Sequence, residues 1–338
     1  MLEIKGMFLI HWGILFTVSC FANLLGLNIS SAFNSAVTIY ILIPILLIPQ
    51  LILSGVVVKF DKLNPVIGNT ATVPLVGDIM ASRWAFEASM VAQFKDNEYE
   101  QQFYSYEKKM AEADYKKIYF IPELESRLDF VHLNYQNPDP GIKAEVASKL
   151  LLVQNEVRRE LARLQKEEFP EVARLTPAAY DSSVYKATSS FLAVLKKIYV
   201  NRYNENDTEK ERMIDRLTSN AEKEKAFERY RESYQNEAIA EFVKNIAETH
   251  RIIEKDGKFV QKIYPIYKDP DPDHMVDFDA QFYMPAKHFL NRNIDTYYFN
   301  NGVIWLMTLT LVILLYFDVL RRIIDGLGNL TNPLPKRM

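Results

Sequence analysis

The strongest constraint on this chain is where its charges are missing. No Asp, Glu, Lys or Arg occurs between Lys5 and Lys59, and none between Asp295 and Asp318. Of the 40 basic and 43 acidic residues, only Glu3, Lys5, Asp318, Arg321, Arg322, Asp325, Lys336 and Arg337 lie outside 59–295. The formal net charge of −3 thus averages over two unlike materials. A protein in water spreads charge over its whole surface, so a single soluble globule is ruled out. Within 59–295 acidic and basic residues are mixed with no basic stripe, which argues against a nucleic-acid partner. Cys20 is the one cysteine and lies in an apolar run, so neither a disulfide framework nor a thiolate zinc site is expected.

A helix needs about 20 apolar residues to cross the hydrocarbon core. Met7 to Leu27, Val37 to Val58 and Tyr297 to Phe317 each meet that length. A charge at the centre of a span costs roughly 2.5–3.5 kcal/mol, and none of the three runs contains one. Buried core helices are the alternative, but such helices rarely stay uncharged for so long. The first run also admits a cleaved-signal reading, since Thr17-Val18-Ser19 precedes Cys20; Glu3 and the apolar continuation to Leu27 speak against it. Asn28 to Ala36 then reads as a polar connector at one membrane face. Pro44 and Pro49 predict a kink in the second span, or neighbours packed around it, and Gln50 is ill suited to lipid. With three crossings, the connector and the tail after 318 share one side. Arg321, Arg322, Lys336 and Arg337 assign that side to the cytoplasm, leaving 59–295 outside.

From about Met80 the pattern is helical. Val146, Leu150, Val153, Val157, Leu161 and Leu164 form one apolar stripe, with Arg158, Arg159, Glu160 and Lys166 to Glu168 off it. Val184, Phe191, Leu195 and Ile198 form a second, after breaks at Pro170 and Pro177. A third long helix is expected from about Asp207 to Arg251, with Tyr230, Tyr234, Ala238, Phe242 and Ile246 on one side. These stripes suit either coiled-coil partners or a helical domain packed on itself, the second being the ordinary outcome. Lys255-Asp256-Gly257-Lys258, between Ile252-Ile253 and Phe259-Val260, predicts a β-hairpin. Prolines 265, 270, 272 and 285 then predict an extended return to the membrane.

Sites of chemistry are scarce. Asp269-Pro270-Asp271-Pro272-Asp273-His274, with Asp277 and Asp279, has the carboxylates for a cation but lacks the glycine and terminal Glu of a calcium loop, so an acidic solvent loop is expected. The five histidines show no ligand spacing; His11 is either a proton relay or an interfacial residue. There is no nucleophile elbow and no G-x-x-x-x-G-K-[ST] loop. No catalytic, cofactor or metal site is assigned.

Several motifs in order resemble ABC exporters of the G subfamily, the White or pleiotropic-drug-resistance type, in the second half of the permease. They are Ala22-Asn23-Leu24-Leu25-Gly26, the 28–36 connector, Pro49 with Leu53-Ser54-Gly55, Asp61 to Pro65, Ser82-Arg83-Trp84-Ala85-Phe86-Glu87-Ala88, Phe299-Asn300, and Tyr316 to Arg322. The likeness covers about 7–104 and 296–323. The chain departs from the family in lacking the first three helices and the ATPase domain, and in its far longer last external loop; a fragment or one piece of a split gene is expected.

The charge and hydropathy pattern implies a mainly α, polytopic membrane protein, and the topology that the resemblance implies is the same. Its plan is two spans (7–27 and 37–58) within 1–58, a re-entrant or interfacial segment over 59–104, an extracytoplasmic helical domain with a small hairpin over 105–295, a third span over 296–320 and a cytoplasmic tail over 321–338. The resemblance implies a substrate cavity at Pro44, Ile48 and Leu51, an exit plug at Val56 and Val57, and interfacial anchoring by Arg83, Trp84 and Glu87. It further implies a dimer of permease halves in the plasma membrane (the inner membrane of a Gram-negative cell), embedded in lipid and exporting a lipophilic small molecule. ATP and Mg would be bound by an ABC ATPase domain outside this sequence. A membrane-anchored scaffold, whose external helical domain binds a partner protein, is the competing reading.

Overall fold

The computed structural model describes residues 6–33, 35–58, 60, 72–165, 168–272, 274–275, 277–278 and 280–331. The Asp61 to Pro65 motif, Asp273 and Asp279 of the acidic run, and Lys336 and Arg337 lie outside the described residues. The protein is mainly helical, and two of its helices are long and apolar enough to cross a membrane. It divides into two compact units, one of residues 1–97 and 269–338, the other of residues 98–268. That boundary differs from the expected 105–295, because the stretch after Lys268 belongs with the apolar helices.

In the first unit, α1 (Phe8–Ala32) runs 25 residues, past the expected end at Leu27. The polar residues beyond Leu27 stay helical because the helix satisfies them itself. Asn28 Nδ2 donates to the Leu24 carbonyl at 2.9 Å, and Ser31 Oγ to that of Asn28 at 2.9 Å. α2 (Ala36–Ile52) has 17 residues, about 25 Å of helix, which is shorter than the run 37–58 predicts. Ser54 Oγ donates to the Leu51 carbonyl at 2.7 Å, and Gly55 takes a left-handed φ of 82°. A Cβ on Gly55 would sit 2.8 Å from the rings of Phe282 and Phe60, so the turn there requires glycine. α2 buries none of its residues. α3 (Leu75–Asp78) is a single turn leading to α4 (Ala81–Lys95).

The second unit starts with α5 (Glu100–Tyr115), which passes through a π-helical turn at Lys116–Phe120 into α6 (Ile121–Asn134). α7 (Pro140–Leu164) is capped by Asp139, whose Oδ1 accepts from the amides of Gly141 and Ile142. Its stripe of Val146, Leu150, Val153 and Val157 is buried against Phe120, Leu124 and Leu195. At the centre Glu160 accepts from Lys116 Nζ and Tyr199 OH, both at 2.5 Å. α8 (Ser182–Leu217) buries Val184, Thr188, Leu192, Leu195 and Tyr199.

The single helix expected over 207–251 is three pieces: the end of α8, α9 (Ala221–Tyr234) and α10 (Glu237–Lys244). Asn220 and Asn236 cause the breaks, since their side chains cap the amides of Lys223 and Ile239 and favour helix starts. The restart rotates the buried face to Ile239 and Val243, leaving Phe242 and Ile246 exposed. β1 (Ile252–Lys255) and β2 (Lys258–Gln261) pair antiparallel around Asp256-Gly257, both at positive φ.

The chain then returns to the first unit. Here β3 (Ala286–Phe289) and β4 (Arg292–Asp295) form a second hairpin, not foreseen in the extended return. α11 (Thr296–Tyr316) follows, and after Asp318 (φ 49°) the chain forms α12 (Val319–Thr331). α1 and α11 run parallel. Near their starts Tyr297 OH donates to the Ile10 carbonyl at 3.2 Å, and near their ends Asn28 Nδ2 donates to that of Leu311 at 3.0 Å.

Candidate functional site

Small residues let α4 approach the two long helices closely. Ala85 and Ala88, with Trp84, pack on Ile14 of α1 and Ile304 of α11. Ile304 lies about 12 Å along α11 from its first residue. A short helix that carries Arg83 and Glu87 among apolar residues is thus held beside the first half of two apolar ones.

This contact carries a buried charge cluster. Glu87 sits one turn after Arg83 on α4 and accepts from Arg83 NH1 at 3.0 Å. Its other partners come from far along the chain: Lys287 Nζ on β3 at 2.7 Å, the Tyr283 amide at 3.1 Å, and Asn300 Nδ2 on α11 at 2.9 Å. Arg83 also pairs with Asp78, and its guanidinium lies 3.5 Å from the centroid of the Trp84 ring. Trp84 Nε1 donates to the Asp78 carbonyl at 2.7 Å, and Asn300 Nδ2 to that of Trp84 at 3.0 Å. The charges balance, two cations against two carboxylates. Burial works against the Glu87 charge, but Lys287 and Arg83 beside it, with the bonds from Lys287 and Asn300, hold its carboxyl below the usual range.

A second polar link joins α2 to α4. Ser82 Oγ donates to the Gln50 carbonyl at 2.6 Å and lies 2.9 Å from Gln50 Oε1, which also accepts the Ser82 amide at 3.2 Å. Both oxygens of Gln50 therefore have partners within the protein. At the Gly55 turn the Phe282 ring meets Phe60 edge to face and stacks on Phe86.

The structure brings Arg83, Trp84 and Glu87 together and buries all three within protein. Their partners Lys287 and Asn300, supplied by segments two hundred residues away, account for this. Pro44, Ile48 and Leu51 share one side of α2 and are exposed, Ile48 at 53% and Leu51 at 62%. Val56 and Val57 are exposed just beyond the Ser54-Gly55 turn. These five do not join the charge cluster. Sequence reasoning missed Lys287 and Asp78. The one available signal was Asn300-Asn301 in an otherwise apolar helix, which asks for a polar neighbour. Among the described residues no cluster of His, Cys, Asp and Glu is arranged to hold a metal ion. The arrangement ties α4 to α11 and to the β3 hairpin.

Compared with known proteins, the chain matches no family model, no curated protein and no solved structure.

Proposed function

We propose that the chain is the permease portion of an ATP-driven exporter of lipophilic or amphiphilic compounds, of the G-subfamily type, lying in the plasma membrane with α1, α2 and α11 as its spans. The observation that carries this reading is α4, buried against α1 and α11 and tied by Ser82 to the end of α2. A short helix at that depth, with every charge paired, suits a re-entrant segment in the outer leaflet. The parallel course of α1 and α11 supports one crossing between them, that of α2, since both then enter from the side of 59–295. Arg321 and Arg322 after α11 make that tail cytoplasmic. At 17 residues α2 matches a locally thinned or protein-lined path better than bare lipid.

In this reading Pro44, Ile48 and Leu51 face the substrate across a dimer of permease halves, and Val56 and Val57 close the exit. ATP binding to a partner ATPase rocks the bundles between inward- and outward-open states, and the cluster around Glu87 keeps α4 and α11 moving as one piece. The test is reconstitution with the ABC ATPase encoded nearest the gene. Substrate-stimulated ATP hydrolysis is expected; failure to associate with any ATPase, together with no stimulated hydrolysis, overturns the reading.

One observation favours the second reading, a membrane-tethered scaffold. Residues 98–268 form a compact unit with their own core, as a binding module would. A partner captured by that unit, in cells where deletion of the gene leaves export unchanged, would decide for the scaffold.

A further inference from the structure

We propose that α12 lies in the headgroup layer of the cytoplasmic leaflet and engages anionic phospholipid through Arg321 and Arg322. The inference rests on reading α11 as a span. α11 ends in Tyr316 and Phe317, both exposed, and aromatic rings of this kind favour the membrane–water boundary. Asp318, at φ 49°, interrupts the helical path there. The Arg322 amide then donates to the Asp318 carbonyl at 3.0 Å, starting α12.

The first eight residues of α12 sort into two sides. Val319, Leu320, Ile323 and Ile324 fall at the i, i+1, i+4, i+5 positions of one face, with Arg321, Arg322 and Asp325 on the other. Val319, Leu320 and Ile324 are half-buried, whereas Ile323 is 53% exposed. α12 packs on α1 and α11, so protein covers one edge of the apolar face and leaves Ile323 open. Arg321 and Arg322 are exposed and form no ion pair among the described residues. Arg321 and Arg322 are the cations of this face, with Asp325 beside them and Asp318 at the helix start. A guanidinium matches phosphate oxygens in both geometry and charge. An apolar edge with arginines on its far side, starting where a span meets water, suits helices that lie in the plane of a leaflet. Anionic lipid meets both halves of the face, acyl chains below and phosphate at the arginines.

The test uses the full chain carrying Cys20→Ser, with an environment-sensitive fluorophore on Ile323→Cys, Asp325→Cys or Val312→Cys. The protein is reconstituted in phosphatidylcholine vesicles with or without phosphatidylglycerol. At 323 a lipid-borne quencher should act and aqueous iodide should not; at 325 the order should reverse. Adding Arg321→Gln and Arg322→Gln should reduce lipid quenching at 323 severalfold in the phosphatidylglycerol vesicles and leave it unchanged at 312. The proposal is overturned if 323 is as open to iodide as 325, if both quenchers miss it because a protein surface covers it, or if the arginine changes have no effect. The label at 312 separates the two levels. If 312 is quenched by lipid and 323 is not, only this inference falls; if 312 is itself unquenched, the span reading falls and takes this one with it.

Discussion

Lys287 and Glu87 stand 200 residues apart in the chain and meet at 2.7 Å, with side-chain exposures of 1% and 0%. A pair this deep has surrendered its hydration, so its net worth depends on completeness. Glu87 is complete, with four donors around two oxygens. Removing one member of such a pair is costly, because the other stays buried and charged.

Lys287→Met should therefore destabilise the first unit by about 3–5 kcal/mol. Glu87→Gln in the same chain should recover part of that loss, with a coupling energy of about 1–3 kcal/mol. Thermal unfolding of the two single variants and the double variant in nanodiscs measures it. Simple additivity would mean that the two residues act independently.

Gly55 makes a separate demand. Its φ of 82° and the two rings at 2.8 Å penalise any Cβ twice, once in the backbone and once by contact. Gly55→Ala should cost at least about 1–2 kcal/mol from the left-handed conformation alone. Phe282→Leu added to it should relieve the contact and leave the backbone penalty. Melting temperatures of the single and double variants separate the two parts.

These examples mark how far the sequence could be read. The uncharged runs and the Asp256-Gly257 turn were legible because each is a local rule: length without charge, and two residues that tolerate positive φ. The stripe on α7 was legible for the same reason. Lys287 was not, since nothing near it announces a partner 200 positions earlier, and its alternation in β3 is only four residues long. The β3–β4 turn escaped because Leu290 and Asn291 adopt φ of 50° and 56° without a glycine to signal it. Asn28 and Ser31 misled in the opposite sense, reading as a connector when carbonyls of α1 satisfy them. Asn220 and Asn236 did carry a capping signal, but the dense charge pattern of 207–251 read as one continuous solvated helix.

Glu100, in the second unit, gives a pH prediction. Burial raises its pKa to about 7, Glu107 adding to the effect while Lys244 and Lys210 oppose it. Unfolded, the carboxyl titrates near the ordinary 4.5. Between those two values the folded protein binds the proton and the unfolded chain does not, so stability falls as pH rises through the window. The loss is about 3 kcal/mol by pH 8. Glu107, held below its ordinary value chiefly by Lys244 and Lys210 against its burial, acts in the other sense and only under more acid conditions. Urea unfolding at pH 5 and pH 8 should therefore show Glu100→Gln removing most of the difference. A variant that keeps the full slope would show that another group carries it.

The exposed face of α2 allows function to be tested apart from stability. Ile48 and Leu51 are exposed beyond the helix they stand on, so truncating them removes little packing within the protein. Ile48→Ala and Leu51→Ala should each change stability by no more than about 0.5 kcal/mol, in contrast to Lys287→Met. If these positions line the substrate path, the same variants should shift the concentration of substrate that half-stimulates ATP hydrolysis in the reconstituted complex, while hydrolysis without substrate stays at its wild-type rate. Pro44→Ala belongs in the series, because it restores a backbone donor to the helix as well as altering that face. Melting curves and hydrolysis titrations on the same preparations decide the matter. Three variants as stable and as responsive as the wild type would remove the cavity from α2, whatever moves the substrate elsewhere in the membrane.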